Sequence, residues 1–219
     1  MSVRSRCRAP MLAAAALAAT TLLAGCAPLL IGGAVVGGAL VATDRRTSGS
    51  LVDDEIIEVK AKGRTGEVVG DRGTVTATSY NRMVLLTGEV PTEADKALAE
   101  QVVARIDNVQ SVVNEVTIGP MNTFSERSKD VLVAAKVKAS IVDAKDLFAN
   151  SIKVVVHRGV VYLMGRVTER EAERAAEVAR GVSGVAKVVR VFEILSEREL
   201  AGRAPRAAVA ASAPASAAR

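Results

Sequence analysis

The side chain best suited to covalent chemistry in this sequence is Cys26, set in Leu23-Ala24-Gly25-Cys26. A thiolate is a strong nucleophile, and the small residues before it suit a narrow peptidase site. What precedes it belongs with it. Residues 1–10 carry Arg4, Arg6 and Arg8 and no acid, and residues 11–23 form an apolar or small run broken only by two threonines. A basic start, a short apolar segment and a small-residue cleavage site make a secretory signal. The run falls short of the roughly 20 residues that a membrane span needs. Cys7 lies inside the signal, so the processed chain keeps a single cysteine, with no internal disulfide and no Cys-rich metal cluster. A soluble secreted protein with an ordinary cleavage site is the alternative reading.

Other chemistry-bearing residues form no constellation. His157 is the only histidine, and no second His or Cys can join it as a ligand, so a surface position at a turn is expected. No Ser–His–Asp set or nucleophile elbow occurs. The glycines before Val75 are not followed by Gly-Lys-Ser/Thr, as a phosphate loop would require. Glu169, Glu171, Glu173 and Glu177 alternate with arginines and read as a solvated, ion-paired helix face. Neither catalysis nor a metal or cofactor is expected. The formal charge of +5 falls to +2 once Arg4, Arg6 and Arg8 leave with the signal, so the basic balance is not a nucleic-acid signature.

The elements that position these residues come from an internal repeat. Residues 74–88 (TVTATSYNRMVLLTG) match residues 151–165 (SIKVVVHRGVVYLMG) at an offset of 77. After one residue of slack at Pro91, residues 92–118 match 168–194 at an offset of 76, with apolar positions coinciding: Ala99 with Ala175, Ile106 with Val182, Val112 with Val188, Ile118 with Ile194. In the second copy, residues 129–142 predict a helix. Residues 151–157 and 160–165 are β-rich runs joined by a short turn at Arg158-Gly159. Thr168-Glu169-Arg170-Glu171 is a capping box that opens a helix, with Ala172, Ala175, Ala176, Ala179 and Val182 on one face. Residues 187–194 form a last strand, returning parallel to the second. The fold class is therefore α+β: two tandem αββαβ units, each a three-stranded mixed sheet covered by two helices. In the first copy a helix is expected over 52–62, shortened by Gly63, Gly66, Gly70 and Gly73. Gly88 and Gly165 are expected where a strand meets a helix, for backbone geometry or close packing. Residues 27–41 are apolar but rich in glycine, which suits a linker, or a Gly-spaced helix against a partner. Residues 196–219, rich in Ala and Pro, are expected to be a disordered tail.

These units resemble the BON domain. The marks are strands ending in Leu86-Thr87-Gly88 and Leu163-Met164-Gly165, the helix that follows, and the turn Val182-Ser183-Gly184-Val185, matched more weakly by Ile106-Asp107-Asn108-Val109. Leu-Ala-Gly-Cys resembles the lipobox of bacterial lipoproteins, in which the Cys thiol takes a diacylglycerol and cleavage falls before the Cys. Two or three acyl chains, at about 0.8 kcal/mol per buried CH₂, hold such a protein on a membrane. The whole is similar to the dual BON-domain outer-membrane lipoproteins. The resemblance implies a signal peptide over 1–25, lipidated Cys26 and a linker over 26–49, a first BON domain over 50–120 and a second over 124–195. It also implies outer-membrane sorting, since Ala27 rather than Asp follows Cys26, a periplasmic location, and a role in membrane integrity through anionic phospholipid. In such proteins the first helix of the second domain meets the membrane. Here that is 129–142, with Leu132, Val133, Lys136, Val137, Lys138 and Ile141 as the lipid-binding set and Gly88, Gly165 and Gly184 as structural glycines. The family's aromatic anchor would fall at Leu132; Phe124 and Phe148 flank the helix instead.

Charge favours the same side independently. Residues 50–120 hold 7 basic and 12 acidic side chains, net −5, while residues 124–195 hold 13 and 9, net +4. A basic module gains about 1 kcal/mol per well-placed Lys or Arg beside anionic headgroups. The helix is also apolar over more than one face, as an interfacial helix is. The competing expectation is a scaffold that binds other envelope proteins and ignores lipid, with the same apolar residues packed on the sheet.

Overall fold

The computed structural model describes residues 44–203; Cys26, the signal, the glycine-rich segment and residues 204–219 lie outside them. The first half runs α1 (Ser48–Val69), a 3₁₀ turn (Gly70–Arg72), β1 (Thr74–Tyr80), β2 (Met83–Val90), α2 (Glu93–Ala104), β3 (Ser111–Asn114) and β4 (Thr117–Ile118). The second runs α3 (Phe124–Asp143), a 3₁₀ turn (Ala149–Ser151), β5 (Ile152–His157), β6 (Val160–Val167), α4 (Glu169–Arg180), β7 (Lys187–Ile194) and α5 (Glu197–Arg203).

The two halves repeat one wiring. β1 and β2 pair antiparallel with Val75 opposite Gly88, and β5 and β6 do so with Ile152 opposite Gly165, so the 77-residue offset survives in the hydrogen-bond register. The third strand lies parallel to the second in both: Met83 opposite Ser111, Val160 opposite Lys187.

Three expectations need correction. Helix α1 does not stop before Gly63. It runs on through Gly63 and Gly66 and ends at Gly70, whose φ is 55°. Two interior glycines cost about 1 kcal/mol each relative to alanine. Burial of Ile57, Ala61, Thr65 and Val69 along one face outweighs this. The third strand of the first copy is broken, because Val116 turns into the core at 2 % exposure. The Asn114 side chain holds the break, accepting from the Val116 amide at 3.2 Å. Finally, the expected structureless tail begins with α5. Ser196 caps it, accepting from the Glu199 amide while Glu199 accepts from the Ser196 amide at 2.8 Å.

Each hairpin is held by a carboxylate from the preceding helix. Asp54 accepts from the amides of Asn81 (2.8 Å) and Arg82 (2.7 Å), and from the Ser79 hydroxyl at 2.7 Å. Asp130 accepts from the amides of Arg158 (2.8 Å) and Gly159 (2.9 Å). The turn residues Asn81, Arg82, Arg158 and Gly159 all have positive φ. That is the backbone of a two-residue hairpin whose twist matches its strands, and it is costly for a non-glycine such as Arg82 or Arg158. The aspartate stabilises both amides at once and so fixes helix against hairpin.

Apolar side chains alternate along the strands and divide into three clusters. Val84 and Leu86 pack with Ile57, Ala61, Ala99 and Val103 of the first pair of helices. Val161 and Leu163 pack with Val137, Ile141, Ala175 and Ala179 of the second pair. The opposite faces meet each other: Tyr80 and Leu85 from the first sheet lie against Tyr162, Met164 and Val191 from the second. Around this seam, the Tyr80 hydroxyl donates to the Ser151 carbonyl at 3.1 Å, Lys153 pairs with Glu58 at 2.8 Å, and Arg158 Nε donates to Glu89 at 3.0 Å. Burial beside Glu115 pushes the Tyr162 phenol up to about 12. Part of the charge difference between the copies is thus consumed in holding them together. All three clusters close within residues 45–203, so this part of the chain carries its own core.

The entry to α1 is tied down as well. Arg45 forms a two-pronged pair with Glu171 at 2.6 and 2.7 Å, and its guanidinium lies 5.1 Å from the Phe148 ring centre. Arg46 pairs with Asp54 at 2.9 Å and stacks 4.3 Å from the Tyr80 ring centre.

The three expected structural glycines are required by contact. A Cβ at Gly88 or Gly165 would collide with the carbonyl oxygen of Thr74 or Ser151 on the paired strand, and one at Gly184 would sit 2.8 Å from Val133 Cγ2. Gly88 and Gly165 lie inside β2 and β6 rather than at a strand-to-helix junction. Gly165→Ala is expected to lower stability by at least about 2 kcal/mol in chemical denaturation. Glu171 gives a pH test. Burial raises its pKa, but the Arg45 guanidinium and the Thr168 amide outweigh that and hold it below the usual glutamate range. Its contribution is therefore complete above the unfolded value, near 4.5, and is lost as pH falls through the lower folded value. Stability curves of Glu171→Gln and wild type are expected to differ at neutral pH and to converge on acidification.

Candidate functional site

Helix α3 is started by Thr123, whose hydroxyl accepts from the Glu126 amide while the Glu126 carboxylate accepts from the Thr123 amide. The helix is amphipathic in an unusual sense: both its faces are apolar. Val133, Val137 and Ile141 point into the core, at 8 %, 0 % and 0 % exposure. The opposite arc shows Phe124, Val131, Leu132 and Val142 to solvent, at 80 %, 68 %, 62 % and 59 %. Ala135 lies between them and is exposed, as are Lys129 and Lys136 at one edge.

The expected lipid-binding set is therefore split. Leu132 and Lys136 lie on the outer face. Val133, Val137 and Ile141 do not; they are the helix's packing on its own sheet. Lys138 is also withdrawn, because its ammonium donates to the carbonyls of Ala149 (2.6 Å) and Ile152 (3.0 Å), and burial pulls its pKa below that of a free lysine. It fastens the loop between α3 and β5. Val131 and Lys129 were missed and belong with the outer face. A signal for Val131 existed: Phe124, Val131, Ala135 and Val142 recur at steps of seven, four and seven, one side of a helix.

Both copies expose some apolar surface on their first helix. On α1 these are Val52, Ile56 and Val59, at 59 %, 46 % and 72 %. The helices differ in charge: α1 has 5 acidic and 3 basic side chains, α3 has 3 and 4. On α3, Asp130 and Glu126 are moreover engaged by the hairpin and the cap. No helix among the described residues is long and apolar enough to cross a membrane. His157, expected at the surface, is mostly buried. Its Nε2 lies 3.0 Å from Glu89 without the alignment of a hydrogen bond, so Arg158 is the group that answers that carboxylate.

Comparison with known proteins gives a consistent picture. The family model described as BON domain matches residues 53–120 and 129–196. The outer membrane lipoprotein DolP of Haemophilus influenzae is 39 % identical over 181 residues, which cover 82 % of this chain and 93 % of that protein. The 21 kDa hemolysin of Actinobacillus pleuropneumoniae is 30 % identical over 68 % of this chain and 78 % of its own length. The osmotically-inducible protein Y of Escherichia coli is 35 % identical over 36 % of this chain and 40 % of its own.

The two lysines that flank the turn of Val137 should behave differently. Lys138→Met keeps the buried stem and removes two hydrogen bonds to carbonyls, and is expected to cost about 1–3 kcal/mol in denaturation. It leaves the exposed apolar arc and the exposed Lys136 untouched.

Proposed function

Since the chain belongs to the BON-domain family, with two such domains, we propose that it is a lipid-anchored outer-membrane protein whose second domain docks on anionic phospholipid and supports membrane integrity. In this reading Cys26 carries the lipid, residues 26–49 tether the body on the periplasmic face, and the domains 50–120 and 124–195 act by binding rather than by catalysis. The relative named as an outer membrane lipoprotein supports the location.

The observation that carries the docking is the second apolar face of α3. Val131, Leu132 and Val142 are each more than half exposed. A monomer with a satisfied core gains nothing from placing them together on one arc, whereas a helix lying in the headgroup layer does. Lys129 and Lys136 border that arc and are in no ion pair among the described residues. At roughly 1 kcal/mol each they tilt the helix toward an anionic surface. On the rival reading, a scaffold for other envelope proteins, the apolar stripe of α1 is the docking surface, and its more acidic helix is repelled by the same membrane.

Residues 44–219, which lack the acyl anchor, separate the two in a vesicle flotation assay. Binding is expected to phosphatidylglycerol-containing vesicles and not to pure phosphatidylcholine. Lys136→Glu is expected to weaken it by about tenfold, since the charge reverses, and Leu132→Glu by more, with unchanged stability in both cases. Binding indifferent to headgroup charge and to both substitutions, with loss on Val59→Glu of capture by an envelope protein, is the result of a scaffold.

A further inference from the structure

Helix α1 carries an ordered surface that its own fold does not use. Its core side is Asp54, Ile57, Ala61 and Thr65. On the opposite side, Val52, Ile56, Val59, Gly63 and Gly66 follow one another at steps of four, three, four and three, and all of them are exposed. That alternation is the seam of a two-stranded coiled coil, in which these residues take positions d, a, d, a and d. A monomer with a satisfied core gains nothing from such a row on its outer side. The two glycines, which weaken α1 where it stands, have open space above them. In a seam they let a facing backbone come close.

The charges beside the seam say what fits it. In a parallel pair, the residue just before each a position meets, on the facing helix, the residue just after the next d position, five places along. Glu55 thereby meets Lys60 of a second copy, and Lys62 meets Glu67. Both meetings join opposite charges, and two-fold symmetry repeats each of them. Glu55, Lys62 and Glu67 are exposed and in no ion pair among the described residues. Lys60 pairs with Asp107 at 3.0 Å, an exposed contact that contributes little and is open to exchange. The second repeat lacks this order. There, 76 residues on, Val131 stands for Glu55 and the withdrawn Lys138 for Lys62.

We propose that α1 pairs with α1 of a second copy as a short, parallel, in-register coiled coil. The same surface is used on both sides, so the assembly closes as a dimer and does not propagate. A parallel pair brings the two starts of α1, at Ser48, to one end. That is the orientation of two chains anchored in one membrane leaflet, and for this direction alone the proposal rests on the membrane reading above. The seam covers only two heptads, so pairing is weak and is favoured by the high local concentration of tethered copies. Where copies are sparse, Val59 stays in water. The outer face of α3, on the other repeat, is left exposed.

The test uses residues 44–219, which contain no cysteine, at high protein concentration. On mild oxidation, Val52→Cys and Val59→Cys are each expected to crosslink to the same position of another copy. Arg64→Cys, exposed but off the seam, is expected to remain uncrosslinked. Sedimentation equilibrium is expected to show a dimer that Glu55→Lys weakens about tenfold, since each substitution is felt twice. Glu55→Lys combined with Lys60→Glu is expected to restore it. These side chains are all exposed, so every variant is expected to melt as wild type does. Crosslinking of Arg64→Cys as fast as Val52→Cys is random collision and overturns the proposal. Crosslinking of Val52→Cys only when mixed with Gly63→Cys is an antiparallel pair and overturns it as well. So does a chain that stays monomeric at its highest soluble concentration, a Glu55→Lys chain that pairs as before, or a charge exchange that rescues nothing. Flotation with phosphatidylglycerol-containing vesicles keeps the two readings apart. Vesicle binding without pairing overturns the dimer alone, and pairing without vesicle binding supports the dimer and removes the docking on lipid.

Discussion

Two small sheets, each apolar on both sides, meet back to back across Tyr80, Leu85, Tyr162, Met164 and Val191. A unit of about 70 residues buries too little surface to be robust alone, and a sheet with helices on one side leaves the other side bare. Pairing the bare sides solves both problems for both copies. It also has a directional consequence. With the sheets innermost, the helices of each copy form the outside of the molecule, and the outer arcs of α1 and α3 remain free. The outer apolar face of α3 is exposed because the sister domain was placed on the sheet and not on the helix.

The electrostatics follow from the same seam. The excess of acid in the first copy and of base in the second reads at first as a difference in what each faces. In the folded chain, Lys153 with Glu58 and Arg158 with Glu89 show that some of it is mutual attraction across the seam. What is left over on the second copy includes Lys129 and Lys136, beside exposed apolar residues. Their charge acts on whatever approaches α3. Arg45 and Arg46 have a related part: by gripping Glu171, Asp54 and two aromatic rings, they fix where the chain enters the folded body.

Much of this was legible in the residues. The duplication, the two hairpins, the capping box at Thr168 and the parallel return of the third strand all follow from short-range signals with known geometry. The phase of α3 was not legible. When Val131, Leu132, Val133, Val137, Ile141 and Val142 cover more than half of a helix, periodicity cannot say which of them faces the sheet. That depends on Asp130, which rotates the helix so that its carboxylate reaches the Arg158-Gly159 turn 28 residues on. Asp54 and Asp130 stand 76 residues apart, as the later part of the repeat does, but the partners they have in common are the backbone amides of the hairpin turns, which leave no trace in side-chain identity. Lys138 misled for a similar reason: two carbonyls hold it, and carbonyls belong to every residue. The length of α1 was hidden because tertiary burial of Thr65 and Val69 overrode two glycines.

The central claim is that α3, and not α1, lies in the headgroup layer. Residues 44–219 contain no cysteine, so a single nitroxide can be placed at will by Val131→Cys or, as a control, Val59→Cys. Electron paramagnetic resonance on phosphatidylglycerol-containing vesicles then reports the depth of each label from its relaxation by oxygen, which concentrates in lipid, and by a water-soluble nickel chelate. The account predicts that the label at 131 becomes accessible to oxygen and shielded from nickel, while the label at 59 stays in water. Equal exposure of both labels to nickel, or burial of the label at 59 instead, would contradict it.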